Sequence, residues 1–309
     1  MILIDKVKKE KSYSKLENKE VVSFNDSISQ KIAIFSIYVT REEQISYHER
    51  IYKWLKDNNY LVVLVHPIFE GSNNLIRDFK FKESCDILIK RNNFGYDFGS
   101  YAAGLIYIIE KGYFSSISNI LFINDSIIGP FGDASKINDN AEFWANTDSH
   151  QLKYHYQSYL FGFKLTNKSR SALLSFFFDR GDIYTNDKTK VIKNFELSMY
   201  DYFSKKNLEC NVCYPKDELA IKFKNRIFDN LRTPKILRKT KYYLDVLIRE
   251  VNPTHHLWLE LFESGFKFIK KELVRDNPTN YPCLYEKVEY ELDKIGCVIE
   301  YKEIIKNIK

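Results

Sequence analysis

The chain has 309 residues, 44% of them hydrophobic and 28% charged, with a formal net charge of +6. Such a length and composition support a packed core in one large domain, or one domain with an appended part, and exclude disordered and fibrous classes. No stretch approaches eighteen continuous apolar residues and no charged-then-apolar leader opens the chain, so a cytoplasmic protein is expected.

The mild basic excess suits phosphorylated ligands or an anionic membrane surface, and nothing in the chain points to nucleic acid. Five cysteines are scattered, with a single Cys-x-x-Cys at Cys210 and Cys213 and no second pair, so reduced thiols are expected rather than a zinc site.

Residues 1–30 are polar and lysine-rich and read as a loosely docked arm. Residues 31–39, KIAIFSIYV, form the first strong strand signal. A helix is expected over 42–58, with Ile45, Ile51, Trp54 and Leu55 near helical spacing. A second strand, 60–65, is expected to end at His66-Pro67, and Gly71-Ser72-Asn73-Asn74 signals a turn.

Two further β-branched runs, 87–89 and 120–123, read as buried strands, with a helix between them over 101–111. The first run ends in Arg91-Asn92-Asn93-Phe94-Gly95-Tyr96-Asp97-Phe98-Gly99, the second in Asn124-Asp125-Ser126. Strand, glycine-rich turn, helix and strand favour a parallel sheet, whose ligands sit at the carboxyl ends of the strands. The dinucleotide fingerprint GxGxxG does not follow the first strand, and no GxxxxGK[ST] occurs.

Beyond residue 132 the pattern changes. A short aromatic segment FWANTDS is followed by an alternating antiparallel strand over 154–165. Helices are expected at 171–178 and 193–205, with a closing strand at 212–215. From 217 onward the chain reads as helical, broken by Pro234, Pro253, Pro278 and Pro282. Arg232, Lys235, Arg238, Lys239 and Lys241 form a basic run without an acid.

Asp125, at a strand end beside Asn124 and Ser126, can hold a hard divalent ion, or the triplet can simply cap the strand. Asp97, between Gly95 and Gly99, can line a ligand loop or cap the helix that follows. Arg91 can pair with a diphosphate or a nearby carboxylate. The rings of Tyr96, Phe98, Trp144, Tyr156 and Tyr159 can stack on a sugar or fill the core.

The strings RNNFGYDFGSYAAGL, LFINDSIIGPF, FWANTDS, YHYQSYLFGFK, NPTHHLW and FKFIKKELVRDNP together resemble the rhamnan-synthesis F family of bacterial polysaccharide glycosyltransferases. The resemblance covers roughly residues 31 to 280, in order, with Ala145 where the family usually has glycine. It implies a GT-A-like, Rossmann-like α/β fold: a mixed sheet flanked by helices, with a mostly helical C-terminal region. The domain layout expected is an arm over 1–30, a nucleotide-sugar and acceptor domain over 31–215, and a helical region over 216–309.

The resemblance further implies a nucleoside-diphosphate sugar donor, by default dTDP-L-rhamnose, and a saccharide or lipid-linked acceptor. Asp125 matches the acidic motif that binds Mg²⁺ or Mn²⁺ in such folds, in a version with one acid rather than two. Arg91, Asn93, Gly95, Tyr96, Asp97, Asn124, Gln157 and His255 are the implied substrate-binding positions. Glu196 is the first candidate for the catalytic base and Asp148 the second. A lipid-linked acceptor implies peripheral contact with the inner face of the cell membrane, where the basic run can dock.

Overall fold

A computed structural model describes residues 20–25, 29–68, 78–134, 137, 140–180, 183–230, 242–244, 246 and 251–308. The basic run and the Gly71–Asn74 turn expected from sequence lie outside the described residues. The chain forms two compact units that interleave in sequence. The first takes in Met1–Asp125, Ile137–Ala145 and Ser158–Asn211; the second takes in Ser126–Lys136, Asn146–Gln157 and Val212–Lys309.

The first unit opens with a short strand β1 (Glu20–Ser23), inside the segment read from sequence as an arm. β2 (Lys31–Ser36) follows, then helix α1 (Ser46–Asp57) and strand β3 (Tyr60–Ile68). β4 (Ile87–Asn92), helix α2 (Tyr96–Glu110) and β5 (Asn119–Asn124) complete a β-α-β unit. β2, β3, β4 and β5 are mutually parallel where they pair, and β1 adds antiparallel to β4. β2, β3 and β5 are buried almost throughout, which explains why their sequences read as continuous apolar runs without alternation.

β3 continues through His66-Pro67, where the sequence reading ended it. Pro67 stands opposite Arg91 of β4, whereas β2 stops opposite Val65, at Ser36. The missing proline N–H therefore falls where one neighbour has already ended, a tolerated edge position.

The second unit begins with the short strand β6 (Ile127–Ile128). β7 (Phe143–Ser149) and β8 (His155–Tyr156) pair antiparallel, Asp148 opposite Tyr156. Back in the first unit, β9 (Leu160–Lys164) pairs antiparallel with β5. The single strand expected over 154–165 is thus two, broken at Gln157, whose backbone N–H donates to Thr147 O. Helix α3 (Asn167–Phe178) is capped by the Thr166 hydroxyl.

The helix expected over 193–205 is also broken. It comprises α4 (Lys188–Asn194), a 3₁₀ turn over Glu196–Ser198 and α5 (Met199–Lys205). β10 (Cys210–Tyr214) closes the sheet, whose order is β1-β4-β3-β2-β5-β9-β7-β10, with β8 on β7. Cys210 and Cys213 lie three apart on this strand, so their side chains leave opposite faces.

Residues of the second unit add α6 (Lys216–Asn230), α7 (Pro253–His256) and α8 (Trp258–Glu263). Strand β11 (Ile269–Lys270) pairs antiparallel with β6, and α9 (Lys271–Asp276), α10 (Leu284–Asp293) and α11 (Val298–Ile308) end the chain. The expected α/β architecture, a mixed sheet with flanking helices and a helical C-terminal region, is what the structure has.

Aromatic rings fill the first unit's core. Phe122 stacks on Phe161 at 4.9 Å and on Phe177 at 5.5 Å, and Phe143 stacks on Phe203 at 4.7 Å. Offset pairs of this kind add about 0.5–1.5 kcal/mol each beyond their buried area. Phe98, Trp144, Tyr156 and Tyr159 are buried core residues.

The turn before α2 is the tightest point. Gly95 has φ +75°, and a Cβ there would overlap the carbonyl of Ile183. Gly99 follows one turn later, where a Cβ would overlap the carbonyl of Phe94 and crowd the Arg91 guanidinium. Replacing Gly99 with alanine is expected to cost about 1–3 kcal/mol of stability through overpacking, read as a lower urea midpoint at unchanged slope.

Candidate active site

The order of the parallel strands marks the candidate site. The chain moves outward from β2 to β3 to β4, then returns to place β5 on the other side of β2. The switch point lies between the carboxyl ends of β2 and β5, where α/β sheets open a ligand crevice. β2 ends at Ser36 and β5 at Asn124, paired in register.

Asp97, in the first turn of α2, reaches both strand ends. Its Oδ1 accepts from the Ser36 hydroxyl at 2.9 Å, and its Oδ2 accepts from the Asn124 amide at 3.0 Å. A carboxylate in the first turn also meets the positive end of the helix dipole. The helix begins at Tyr96, five residues before the position expected from periodicity. Gly95 in the left-handed region turns the chain directly from the strand into the helix.

Arg91 is fully buried beneath this turn. Its guanidinium donates to Phe94 O and, at 3.0 Å, to the Ser100 hydroxyl. Burial lowers its pKa to about 10, and the neighbouring Tyr184 and Asp97 oppose that shift. Its donors hold the turn together. Asn93 and Tyr96 are half-buried in the same turn, and the Tyr96 hydroxyl donates to Asn186 O at 2.8 Å. Tyr96 keeps a positive φ of 51°, an uncommon conformation for a bulky residue.

Asp125 follows Asn124 and is tied back to β2. Its N–H donates to Ser36 O at 3.0 Å, and its Oδ2 accepts from Tyr38 N–H at 3.1 Å. His48 Nε2, on α1, lies 3.5 Å from the same oxygen. Tyr47 lies beside His48, and burial together with Asp125 pushes its phenol up.

Tyr101 was not singled out from sequence. It is fully buried on α2, and its hydroxyl donates to Ser158 O at 3.1 Å. Burial raises its pKa well above the ordinary value, and the charges of Asp97, Glu196 and Asp125 raise it further. Three acids from three distant parts of the chain therefore lie within electrostatic reach of one buried phenol. Glu196 is half-buried in the 3₁₀ turn that interrupts the expected helix.

The remaining candidates belong to the second unit. Asp148 Oδ1 accepts from the Lys216 N–H at 2.6 Å, at the amino end of α6. Thr147 donates to Gln157 Oε1 at 2.6 Å, and Gln157 Nε2 donates to Asn252 Oδ1 at 3.1 Å. That same oxygen accepts from the Thr254 N–H and hydroxyl, capping α7. His255 lies on α7, buried, with Nε2 3.5 Å from Glu272 Oε2.

Among the described residues no group of three or more His, Cys, Asp or Glu side chains converges. One carboxylate at a strand end fits a hard ion that completes its shell with phosphate oxygens and water, as Mg²⁺ does. It does not fit a cage built wholly of protein.

This α/β fold with acids at the sheet's switch point belongs, by its family, to the glycosyltransferases of polysaccharide synthesis. The chain matches the rhamnan synthesis protein F family over residues 72–255. It is 48% identical over 297 residues to the "Virulence protein VirA" of Vibrio anguillarum, covering 96% of this chain and 93% of that one. An "Uncharacterized protein y4gN" of Sinorhizobium fredii is 25% identical over 215 residues, 66% of this chain and 54% of that one. Among solved structures, a WbbM bifunctional glycosyltransferase is similar over 60% of this chain and 46% of that one, at 10% identity and a TM-score of 0.25. The chain belongs to the rhamnan synthesis protein F family.

His66, at the end of β3, is buried. Burial first, then the charge of His48, lowers its pKa to about 4. The folded state therefore binds fewer protons than the unfolded chain between about pH 6.5 and 4. Its contribution to stability is present above about pH 6.5 and is lost as pH falls toward 4. In chemical denaturation across this window, His66→Gln should flatten the acid limb relative to wild type, by up to ~1.4 kcal/mol per pH unit.

Proposed function

We propose that the chain transfers a sugar, with inversion, from a nucleoside-diphosphate donor to a hydroxyl of a saccharide or lipid-linked acceptor. The observation that carries this reading is the Asp97 carboxylate joining Ser36 and Asn124 at the switch point, with Asp125 and Glu196 in electrostatic reach of the same phenol. L-rhamnose from dTDP-L-rhamnose is the default donor by family name; a galactofuranosyl or other hexosyl nucleotide is the alternative within the same reaction.

Glu196 takes the role of base. A half-buried carboxylate in a 3₁₀ turn can approach solvent and an incoming hydroxyl. Asp148, by contrast, is buried and already accepts from the α6 backbone. In the reaction the acceptor oxygen bonds to the anomeric carbon as its proton passes to Glu196. The bond from that carbon to the diphosphate breaks, and the diphosphate leaves with the electron pair. Asp97 orients the turn that faces the donor, and Asp125 is the residue that would hold Mg²⁺ or Mn²⁺. Such an ion, when bound, would offset the charge of the leaving diphosphate.

Purified protein supplied with a panel of nucleotide sugars and acceptors tests this. Glu196→Gln should lower transfer by about 10²–10⁴ with donor binding intact, and Asp148→Asn should lose stability rather than turnover. Asp125→Asn keeps an acceptor for the Tyr38 N–H, so it should fold and lose transfer by about two orders of magnitude. A wild-type rate for Glu196→Gln beside a dead Asp148→Asn would move the base to Asp148. No transfer from any donor, with donor binding retained, would make the chain a carbohydrate-binding subunit.

The same reading includes peripheral membrane contact. Among the described residues no helix is long and apolar enough to cross a membrane. The run Arg232, Lys235, Arg238, Lys239 and Lys241 is basic without an acid, and each basic residue near an anionic leaflet contributes about 1 kcal/mol. Co-sedimentation with phosphatidylserine liposomes should fall when Arg232, Lys235, Arg238 and Lys239 are neutralised together; equal sedimentation would rule this segment out.

A further inference from the structure

The β6–β11 ladder sets Lys270 opposite Ile127, in the residue pair next to Ser126. Ile127, Ile128 and Ile269 are buried, so the ladder is anchored in the second unit's core. Strand alternation then sends Lys270 to the other face from Ile269. There its Nζ donates to the Ser126 hydroxyl at 2.7 Å, while the Lys271 N–H donates to Ser126 O at 2.8 Å. Ser126 is the last residue of the Asn-Asp-Ser motif.

The Lys270 charge also acts on His255. This histidine is 9% exposed, and its Nε2 has no hydrogen-bond partner. An acid, Glu272 Oε2, is 3.5 Å away, beyond hydrogen-bond range for this donor, and the Glu272 side chain is 51% exposed. A buried imidazole nitrogen without a partner is costly unless a ligand satisfies it.

We propose that Lys270, His255 and Ser126 form a binding site for a phosphate-class oxyanion, and that it receives the diphosphate of the donor. The second half of this statement rests on the transfer reaction proposed above. Lysine is a point charge suited to phosphate oxygens, and a neutral imidazole adds one directed N–H.

The nearby Lys270 charge favours an anion over a cation. Burial, then the charges of Lys270 and His256, lower the His255 pKa to about 4, so its ring is neutral near pH 7. Burial alone disfavours a charge of either sign; the Lys270 ammonium is what tips the balance toward an anion and away from a metal ion at this nitrogen. Glu272 Oε2 lies 3.5 Å from this nitrogen on a half-exposed side chain. It is a tethered competitor that an incoming diphosphate displaces into solvent.

Calorimetric titration of the full chain with sodium pyrophosphate, in metal-free buffer, tests the site. Lys270→Gln should weaken binding about tenfold or more, whereas Lys270→Arg should stay within about threefold, since arginine keeps the charge. Glu272→Gln should tighten binding, because it removes the competing carboxylate. In NMR spectra the His255 ring should titrate at higher pH once pyrophosphate saturates the protein, by more than about one unit.

Wild-type protein that binds no pyrophosphate, Lys270→Gln that binds as wild type, or a His255 ring unmoved at saturation would each overturn the site. So would Glu272→Gln that binds more weakly. The outcome is separable from the transfer reading. Loss of pyrophosphate binding in Lys270→Gln without sugar transfer by any donor leaves the site standing and removes the reaction. Transfer with unchanged pyrophosphate binding in Lys270→Gln does the reverse.

Discussion

One carboxylate holds the switch point of the sheet. Asp97 accepts from the ends of two strands, β2 and β5, while sitting in the first turn of the helix that leads from β4 into β5. Charge-assisted hydrogen bonds of this kind contribute roughly 1.5–3 kcal/mol each. Their geometric effect is larger than their energy. They fix where β2, β5 and α2 end relative to each other, and so fix the directions in which Asp125 and the Gly95–Tyr96 turn leave the sheet. Arg91 completes the arrangement from below by bracing the turn against the helix through Phe94 and Ser100.

The amino-terminal edge of the same sheet carries a different kind of acid. Asp86 is 1% exposed and accepts from Lys56 Nζ, the Val62 N–H, the Tyr52 hydroxyl and the Asn25 amide. A buried carboxylate so fully paired is an element of the scaffold. Acids at the carboxyl edge are closer to solvent: Asp125 is 13% exposed and Glu196 is half-buried. The amino-terminal edge thus holds the fold, while the carboxyl edge is the one where parallel sheets generally meet ligands.

The central strands were legible because burial on both faces makes a parallel strand an unbroken apolar run. The motifs were legible because glycine, Asn-Asp-Ser and Asn-Pro-Thr-His break those runs with polar residues. Helix starts were less so. Periodicity finds Leu105, Ile108 and Ile109 but not Tyr96, since the left-handed turn at Gly95 is set by contact with Ile183 and Thr185, far along the chain. The break at Glu196 was hidden for a similar reason: Phe195 is drawn into the core against Phe98 at 5.3 Å, which bends an otherwise helical sequence. Tyr101 and Lys270 lie inside the resemblance strings, but nothing local marked either one. One is an ordinary aromatic on an apolar helix face. The other is one lysine in a chain with 47 lysines and arginines, and only strand pairing with Ile127 brings it to Ser126.

The interleaving of the two units has a consequence for biogenesis. Segments 126–136 and 146–157 belong to the second unit but leave the ribosome before the first unit is finished at Asn211. Their main partners, from Val212 onward, are made later. The β6 strand, for example, waits for β11, more than a hundred residues downstream. At about 5–20 residues per second, that wait lasts on the order of seconds. During synthesis the apolar Ile127 and Ile128 have no finished surface to cover them. Folding of this chain is therefore tied to completion of the polypeptide rather than proceeding unit by unit, and the nascent chain must pass through that interval with its Asn-Asp-Ser segment still unclosed.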